Sequence, residues 1–263
     1  HDIKVVLTGE GADEMFAGYD LFREGKVRRF WAKHPDSKLR PELLDRLYPY
    51  LARSPVKQKA IARQFFGKDL ARGGQPGFTH GTRWSTASAL QRLFSQDVRK
   101  ESEGDVVGEL LASLPAAFSS WSPLAQDQFL ECHTLLGPYL LASQGDRMLM
   151  AHSVEGRFPF LDREVIALAN SLPHQHKLRV LDEKHVLKRV GRELIPRAIL
   201  ERPKQPYRAP DGPSFVGEGA PGWVDEVTSP AAVERADIFE PRAVEALITK
   251  CRNRDPNTPF SNT

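Results

Sequence analysis

Ile3-Lys4-Val5-Val6-Leu7-Thr8-Gly9-Glu10-Gly11-Ala12-Asp13-Glu14-Met15-Phe16-Ala17-Gly18-Tyr19 is the stretch that decides the fold class. Its first five residues form a short apolar, β-branched run ending at a glycine loop, the pattern of a buried strand in a parallel sheet. Thr8 to Ala12 read as a Gly-rich turn, and Asp13 onward as a helix with acids in its first turn, where the helix dipole favours them. A strand, loop and helix in this order put the loop at the carboxyl end of a parallel strand, where open α/β sheets bind ligands. Glycines 9 and 11 let the backbone approach such a ligand closely. Glu10, Asp13 and Glu14 place three carboxylates within five positions. They can hold a divalent ion that bridges phosphates or face a substrate cation, and they equally suit a tight turn followed by ordinary N-terminal helix acids.

Outward from this unit the pattern turns helical, and no other strand is expected. Leu43, Leu44, Leu47 and Leu51 share one helical face behind Pro41, and Val106, Val107, Leu110, Leu111 and Leu114 repeat the spacing. Between them Gly67 to Gly81 reads as a Gly/Pro-rich surface loop at a junction of helical subunits. A long helical region runs from Pro123 to Met150 with an interruption near Gly137-Pro138. Asp162 is placed to cap a helix over Arg163 to Leu172, and another helix spans Glu183 to Leu194. Arg202 to Gly222, crowded with Pro and Gly, reads as a loop over a site.

Composition narrows the function classes. The chain has 263 residues, 40% of them apolar and 27% charged, ordinary values for a soluble globular protein. A chain this long buries roughly 70–75% of its unfolded surface, enough for a real core. No run approaches the roughly 18 apolar residues of a membrane span, and no basic segment leads into an apolar N-terminus. A soluble protein is expected. The 37 basic and 34 acidic residues are scattered, so nucleic acid is not implied. Cys132 and Cys251 are too few for a disulfide framework or a thiolate zinc site, and both read as reduced and structural. The histidines lack metal-ligand spacing, and His174-Gln-His176 reads as a polar loop.

Two further motifs carry charge into apolar surroundings. Asp146-Arg147-Met148-Leu149-Met150-Ala151-His152-Ser153-Val154-Glu155-Gly156-Arg157-Phe158-Pro159-Phe160-Leu161-Asp162 is the first, and its charges are expected to pair as Glu155 with Arg157 or Asp146 with Arg147. A structural ion-pair network explains them as well as a substrate site does. The second is Leu181-Asp182-Glu183-Lys184-His185-Val186-Leu187-Lys188-Arg189, followed by the basic segment Glu201 to Pro210. Lys184 opens a helix where the dipole opposes its charge.

Together the three motifs resemble, in order and spacing, the synthetase domain of glutamine-dependent asparagine synthetases. That family carries Ser-Gly-Glu-Gly-x-Asp-Glu, then Asp-Arg-Met-Ser-Met with Ser-Val-Glu-x-Arg-x-Pro-Phe-Leu-Asp, then a Lys-His pair opening a helix. Thr8 and Leu149 depart from it where the family has Ser. The resemblance implies an α/β fold, predominantly helical in this chain, that is part of a PP-loop ATPase (adenine nucleotide alpha hydrolase-like) parallel sheet with a helical extension. It implies ATP and Mg2+ as cofactors, and aspartate and ammonia from glutamine as substrates. By the same resemblance Thr8 and Gly9 line the nucleotide site, Glu10 handles the aspartyl-adenylate and the incoming amine, and Asp13 holds magnesium. Lys184 compensates charge in the transition state, and Glu155 and Arg157 are substrate-binding. A cytoplasmic enzyme is implied, and a homo-oligomer is compatible with it.

One family element finds no match. No segment reads Ser-Gly-Gly-x-Asp-Ser, the loop whose N–H groups hold pyrophosphate, and Arg72-Gly73-Gly74-Gln75 is no substitute. Residues 1–263 are therefore expected to be the C-terminal part of a synthetase domain, without the pyrophosphate-loop strand and the N-terminal glutaminase domain. The alternatives are a relative that closes a β-lactam ring, which the carboxylate of Glu10 argues against, and a non-catalytic interaction module.

Overall fold

The computed structural model describes residues 3–48, 59–202, 204, 211–217 and 219–253. Helices dominate, and the sheet has two strands, β1 (Val5–Leu7) and β2 (Glu155–Arg157), paired in parallel with Val5 opposite Glu155 and Leu7 opposite Arg157. The fold class is thus mostly helical α/β with a small parallel sheet. β1 falls where the apolar run predicts it. β2 does not announce itself, because Glu155-Gly156-Arg157 has no strand-forming side chain and becomes a strand only by pairing. The expected burial of β1 is not found: Val5 is 48% and Leu7 76% exposed. Among the described residues β1 has one strand neighbour, and a central parallel strand needs cover on both faces.

The chain divides into two compact units, His1–Thr82 with Leu111–Lys204, and Arg83–Leu110 with Gln205–Thr263. The boundary after Thr82 lies next to the junction expected at Gly67 to Gly81. In the first unit α1 (Ala12–Phe16) follows β1 and is only five residues long. It starts after Gly11 (φ 88°) and stops because Ala17 turns left-handed (φ 57°). Its Met15 and Phe16 pack with Ala169, Phe160 and Val186, which ties the loop helix to the helices at Arg163–Ser171 and His185–Val190. α2 (Asp20–Ala32) carries a second core, in which Val27 and Trp31 meet Leu44, Leu47, Ala62 and Phe66. Leu44 and Leu47 are buried as their spacing predicts, but Arg40–Arg46 is a 3-10 helix and not an α-helix. Leu51 lies outside the described residues.

The loop at Gly67 to Gly81 is not simply a surface feature. Arg28, buried in α2, donates to the carbonyls of Phe66 (3.0 Å), Lys68 (2.9 Å) and Phe78 (3.0 Å), and its guanidinium lies 4.1 Å from the Phe78 ring centroid. One planar fork with several donors is what such a multi-carbonyl anchor requires. Arg29 forms a bidentate pair with the buried Asp127 (2.6 and 2.8 Å), and Asp127 also accepts from the Thr79 hydroxyl.

The long helical region keeps its length but not its expected break. Pro123–Glu131 is α-helical, Cys132–Asp146 is a π-helix, and Arg147–Ala151 returns to α. Pro138 lies inside the wide π segment, where the looser ladder tolerates its missing N–H. Ser122 caps the start, its hydroxyl accepting from Ala125 N at 3.3 Å. Asp162 caps the next helix as predicted, with Oδ1 accepting from Glu164 N at 2.8 Å. His174–Lys177, read as a polar loop, forms one helical turn after Pro173. Asp211–Val216, within the stretch read as loop, is also helical.

In the second unit Phe94 and Phe239 face each other as an isolated antiparallel bridge, with rings stacked at 5.4 Å. Val106–Ala112 is helical but stops short of Leu114 and runs across the boundary between Leu110 and Leu111, and Trp223–Val227, Pro230–Ala236 and Pro241–Arg252 are helices of the second unit's C-terminal part. Among the described residues no helix is long and apolar enough to cross a membrane.

Candidate active site

The loop after β1 is built by short-range bonds. Thr8 N donates to Arg157 O at 2.9 Å, which ties the first loop residue to the end of β2. The Thr8 hydroxyl accepts from Glu10 N at 3.3 Å, so the side chain expected at the nucleotide also shapes the turn. Gly11 has a positive φ, and a Cβ there would overlap Leu161; both demands exclude other residues. At Gly9 nothing lies within 4 Å of a hypothetical Cβ, so its backbone faces open space.

From that turn Asp13 enters the centre of a charge cluster. The Lys184 ammonium lies 3.0 Å from Asp13 Oδ1, and the Lys204 ammonium lies 3.0 Å from Oδ2. These contacts differ in kind. Lys204 donates an aligned hydrogen bond, whereas Oδ1 is buried without one, so Lys184 is held there by charge alone. Lys184 itself adopts a left-handed conformation (φ 51°) at the cap of the His185–Val190 helix, and its N–H donates to Phe16 O at 3.2 Å. A non-glycine residue in that region is uncommon and costs on the order of 1–3 kcal/mol, which the surrounding contacts must offset. Gly18 completes the cradle: its N–H donates to Asp13 O at 2.8 Å, and a Cβ there would overlap both Asp13 Oδ1 and Lys184 Cε.

Behind the cluster Glu14 is fully buried and accepts from the Tyr19 hydroxyl at 2.7 Å. Burial pushes the Glu14 carboxyl above its usual range against the opposing effect of that bond, and burial together with Glu14 pushes the Tyr19 hydroxyl up. The Lys204 ammonium stands 5.7 Å from the Tyr19 ring centroid.

The structure therefore brings Asp13 and Lys184 together and adds Lys204, which sequence reasoning left inside a basic segment. Nothing in its local spacing marks it out, since only the fold reveals that it faces Asp13. Glu10 is half-buried in the loop and forms no ion pair among the described residues. Glu155 and Arg157 do pair with each other, but on the exposed surface of β2 and not near a core. Asp146 and Arg147 are exposed and unpaired among the described residues. Magnesium finds no ready site here: no group of three or more His, Cys, Asp or Glu forms among the described residues, and the Asp13 carboxylate is flanked by two ammonium groups. The residues present fit cations supplied by the chain, and an ion reaching Asp13 would have to displace one of them.

The site is thus a strand, an acidic glycine loop and a short helix, with Lys184 and Lys204 brought to Asp13 from distant parts of the chain. The Asparagine synthase family profile matches residues 1–261, and the chain belongs to that family. A Mycobacterium tuberculosis protein whose name places it among glutamine-hydrolysing asparagine synthetases is 33% identical over 79% of this chain and 30% of its own length. Asparagine synthetase (glutamine-hydrolysing) 1 of Bacillus subtilis is 28% identical over 79% of the chain and 31% of its own. Amidase chry2 of Gibberella zeae is 26% identical over 96% of the chain and 39% of its own. The chain thus spans about a third of the length of these curated relatives. No solved structure matches it significantly.

Proposed function

We propose that the chain forms the C-terminal part of the synthetase domain of an ATP-dependent amide ligase that converts aspartate to asparagine, releasing AMP and pyrophosphate. The observation that carries this reading is the Asp13, Lys184 and Lys204 cluster at the foot of the glycine loop. In the first step an oxygen of the aspartate side-chain carboxylate attacks the α-phosphorus of ATP, and the bond to pyrophosphate breaks. Negative charge gathers on phosphorus, and a fixed ammonium in a partly dehydrated site stabilises it. Lys184 supplies that ammonium. Asp13 holds it in place without an aligned hydrogen bond, so the lysine can turn toward phosphate at little cost. In the second step ammonia attacks the acyl carbon, the bond to AMP breaks, and the new amide loses a proton. Glu10 accepts that proton, and Thr8 and Gly9 border the AMP.

ATP arrives with Mg2+ as its phosphate counter-ion. Ammonia comes from glutamine through a glutaminase domain of the same protein, and the enzyme works in the cytoplasm. Arg157, at the strand end that meets Thr8, and Glu155, paired with it from the start of β2, border the aspartate. The amidase-named relative, which matches nearly the whole chain, supports a second reading in which the adenylated carboxylate belongs to a different acceptor.

Lys184→Met in the intact protein tests the reading. Adenylation, followed as pyrophosphate release, should fall by roughly 10²- to 10³-fold while glutamine hydrolysis is unchanged, because the charge acts only in the synthetase transition state. Asparagine formation at parental speed would return Lys184 to the status of a structural lysine. Pyrophosphate released with another carboxylate but not with aspartate would select the second reading.

A further inference from the structure

The first unit contains a cavity of about 510 Å³ whose lining shares no residue with the Asp13 cluster. Met15, Phe129 and Leu172 form apolar walls, and Lys177 lines it together with Gln128 and Cys132. Its volume falls within the roughly 300–1,000 Å³ of ordinary small-molecule sites.

Lys177 is only 4% exposed, and among the described residues its ammonium has one hydrogen-bond partner, the neutral Gln128 Oε1 at 3.1 Å. Gln128 cannot turn away to serve better elsewhere. Its Nε2 donates to the carbonyls of Glu14 and of Met15 (2.9 Å), which fixes the amide with its oxygen toward the lysine. An ammonium has three donors, so two remain unused. No carboxylate lies within ion-pair distance of Lys177 among the described residues, and the neighbouring Cys132 is a neutral thiol, its pKa pushed up to about 12 chiefly by burial. A buried charge without a counter-ion is costly, and this one also pushes the Lys177 pKa down to about 8. The fold thus holds a largely buried positive charge beside a hollow whose walls are partly apolar.

We propose that this cavity binds a small organic monocarboxylate, its carboxylate paired with Lys177 and its apolar body against Met15, Phe129 and Leu172. One ammonium balances one negative charge, and apolar walls favour a monoanion with a hydrocarbon body over a strongly hydrated phosphate. The site stands whether or not the ligase reading does.

Benzoate titrated into the intact protein and followed by calorimetry is the direct test, with benzamide as the uncharged isostere and inorganic phosphate as the hydrated anion. Benzoate should bind at least tenfold more tightly than either. Lys177→Met should weaken it at least tenfold. Cys132→Asp should do the same by giving Lys177 an internal carboxylate, and Cys132→Ser, which leaves the lysine unpaired, should retain binding. Should Lys177→Met fail to fold, the two Cys132 variants decide alone. Equal binding of benzoate and benzamide, preference for phosphate, no benzoate binding at millimolar concentration, or binding untouched by Cys132→Asp would overturn the proposal.

Discussion

Lys184 and Lys177 belong to the same compact unit, and both are tied to α1, one by its own N–H to Phe16 O, the other through Gln128 to Glu14 O and Met15 O. Their electrical surroundings are opposite. Lys184 keeps some solvent and stands against a carboxylate at 3.0 Å, whereas Lys177 is almost wholly buried with an amide as its partner. The first arrangement stores a charge cheaply and leaves it free to be exchanged for a substrate anion. The second holds a charge at continuing cost to the fold. A protein that keeps both is using lysine in two ways, and substitutions that exchange their surroundings should separate them.

Glu10→Gln carries the largest expected effect. It preserves side-chain size and removes basicity, so folding should change little, while turnover should fall by roughly 10² to 10⁴, the usual range for a positioned acid or base. Asparagine and pyrophosphate must be measured separately, since failure at the amine step alone leaves adenylation running uncoupled. Normal rates of both, in a protein that melts normally, would reduce Glu10 to a turn carboxylate.

Gly18→Ala attacks the paired lysine from its packing. The added methyl has no room beside Asp13 Oδ1 and Lys184 Cε, so the pair must separate. We expect adenylation to fall by roughly two orders of magnitude, comparable to losing a single charge-stabilising donor, with little loss of stability because the colliding atoms belong to movable side-chain ends. A variant that keeps its rate would show that the Asp13 to Lys184 contact does not position the lysine for chemistry.

Lys177 is tested through pH. Burial lowers its folded-state pKa from 10.5 to about 8, so between those values the unfolded chain holds a proton that the folded chain lacks. Stability contributed at this site therefore rises with pH across that window, and below pH 8 the full cost is present. Lys177→Met has no such cost. Relative to the variant, the parent should gain roughly 1–3 kcal/mol between pH 7 and pH 10.5, measured as the difference between two denaturation series. A difference that stays flat with pH would mean that Lys177 is well solvated or paired.

Much of the first unit was legible because it depends on local rules. The β-branched run, the glycines at forced turns and the Asp162 cap each act within a few residues, and each appears where the spacing puts it. What stayed hidden depends on distant partners. β2 is a strand only because β1 lies beside it, Pro138 falls inside a π segment that no local signal announces, and Arg28 converts a Gly/Pro-rich loop into a partly buried one. Of the site, Asp13 and Lys184 could be named from motifs, yet the contact between them and the entry of Lys204 are properties of the fold.

Lys204 gives the smallest expected effect and refines the comparison most. It neutralises the second oxygen of Asp13 through an aligned bond, so it competes with Lys184 for the same carboxylate. Removing it with Lys204→Met leaves Asp13 with one cation, which should hold Lys184 more tightly and release it less readily to an incoming phosphate. The pair is partly exposed, and such pairs contribute about 0–1 kcal/mol, so the change in turnover should stay within about tenfold. It should appear mainly as a higher KM for ATP, because an approaching triphosphate loses one of two ammonium groups. Steady-state kinetics on Lys204→Met beside Lys204→Arg separates charge from geometry: arginine keeps the charge and should recover KM. A loss in kcat as large as that of Lys184→Met would instead make Lys204 the lysine that faces the reacting phosphorus, with Lys184 as its support.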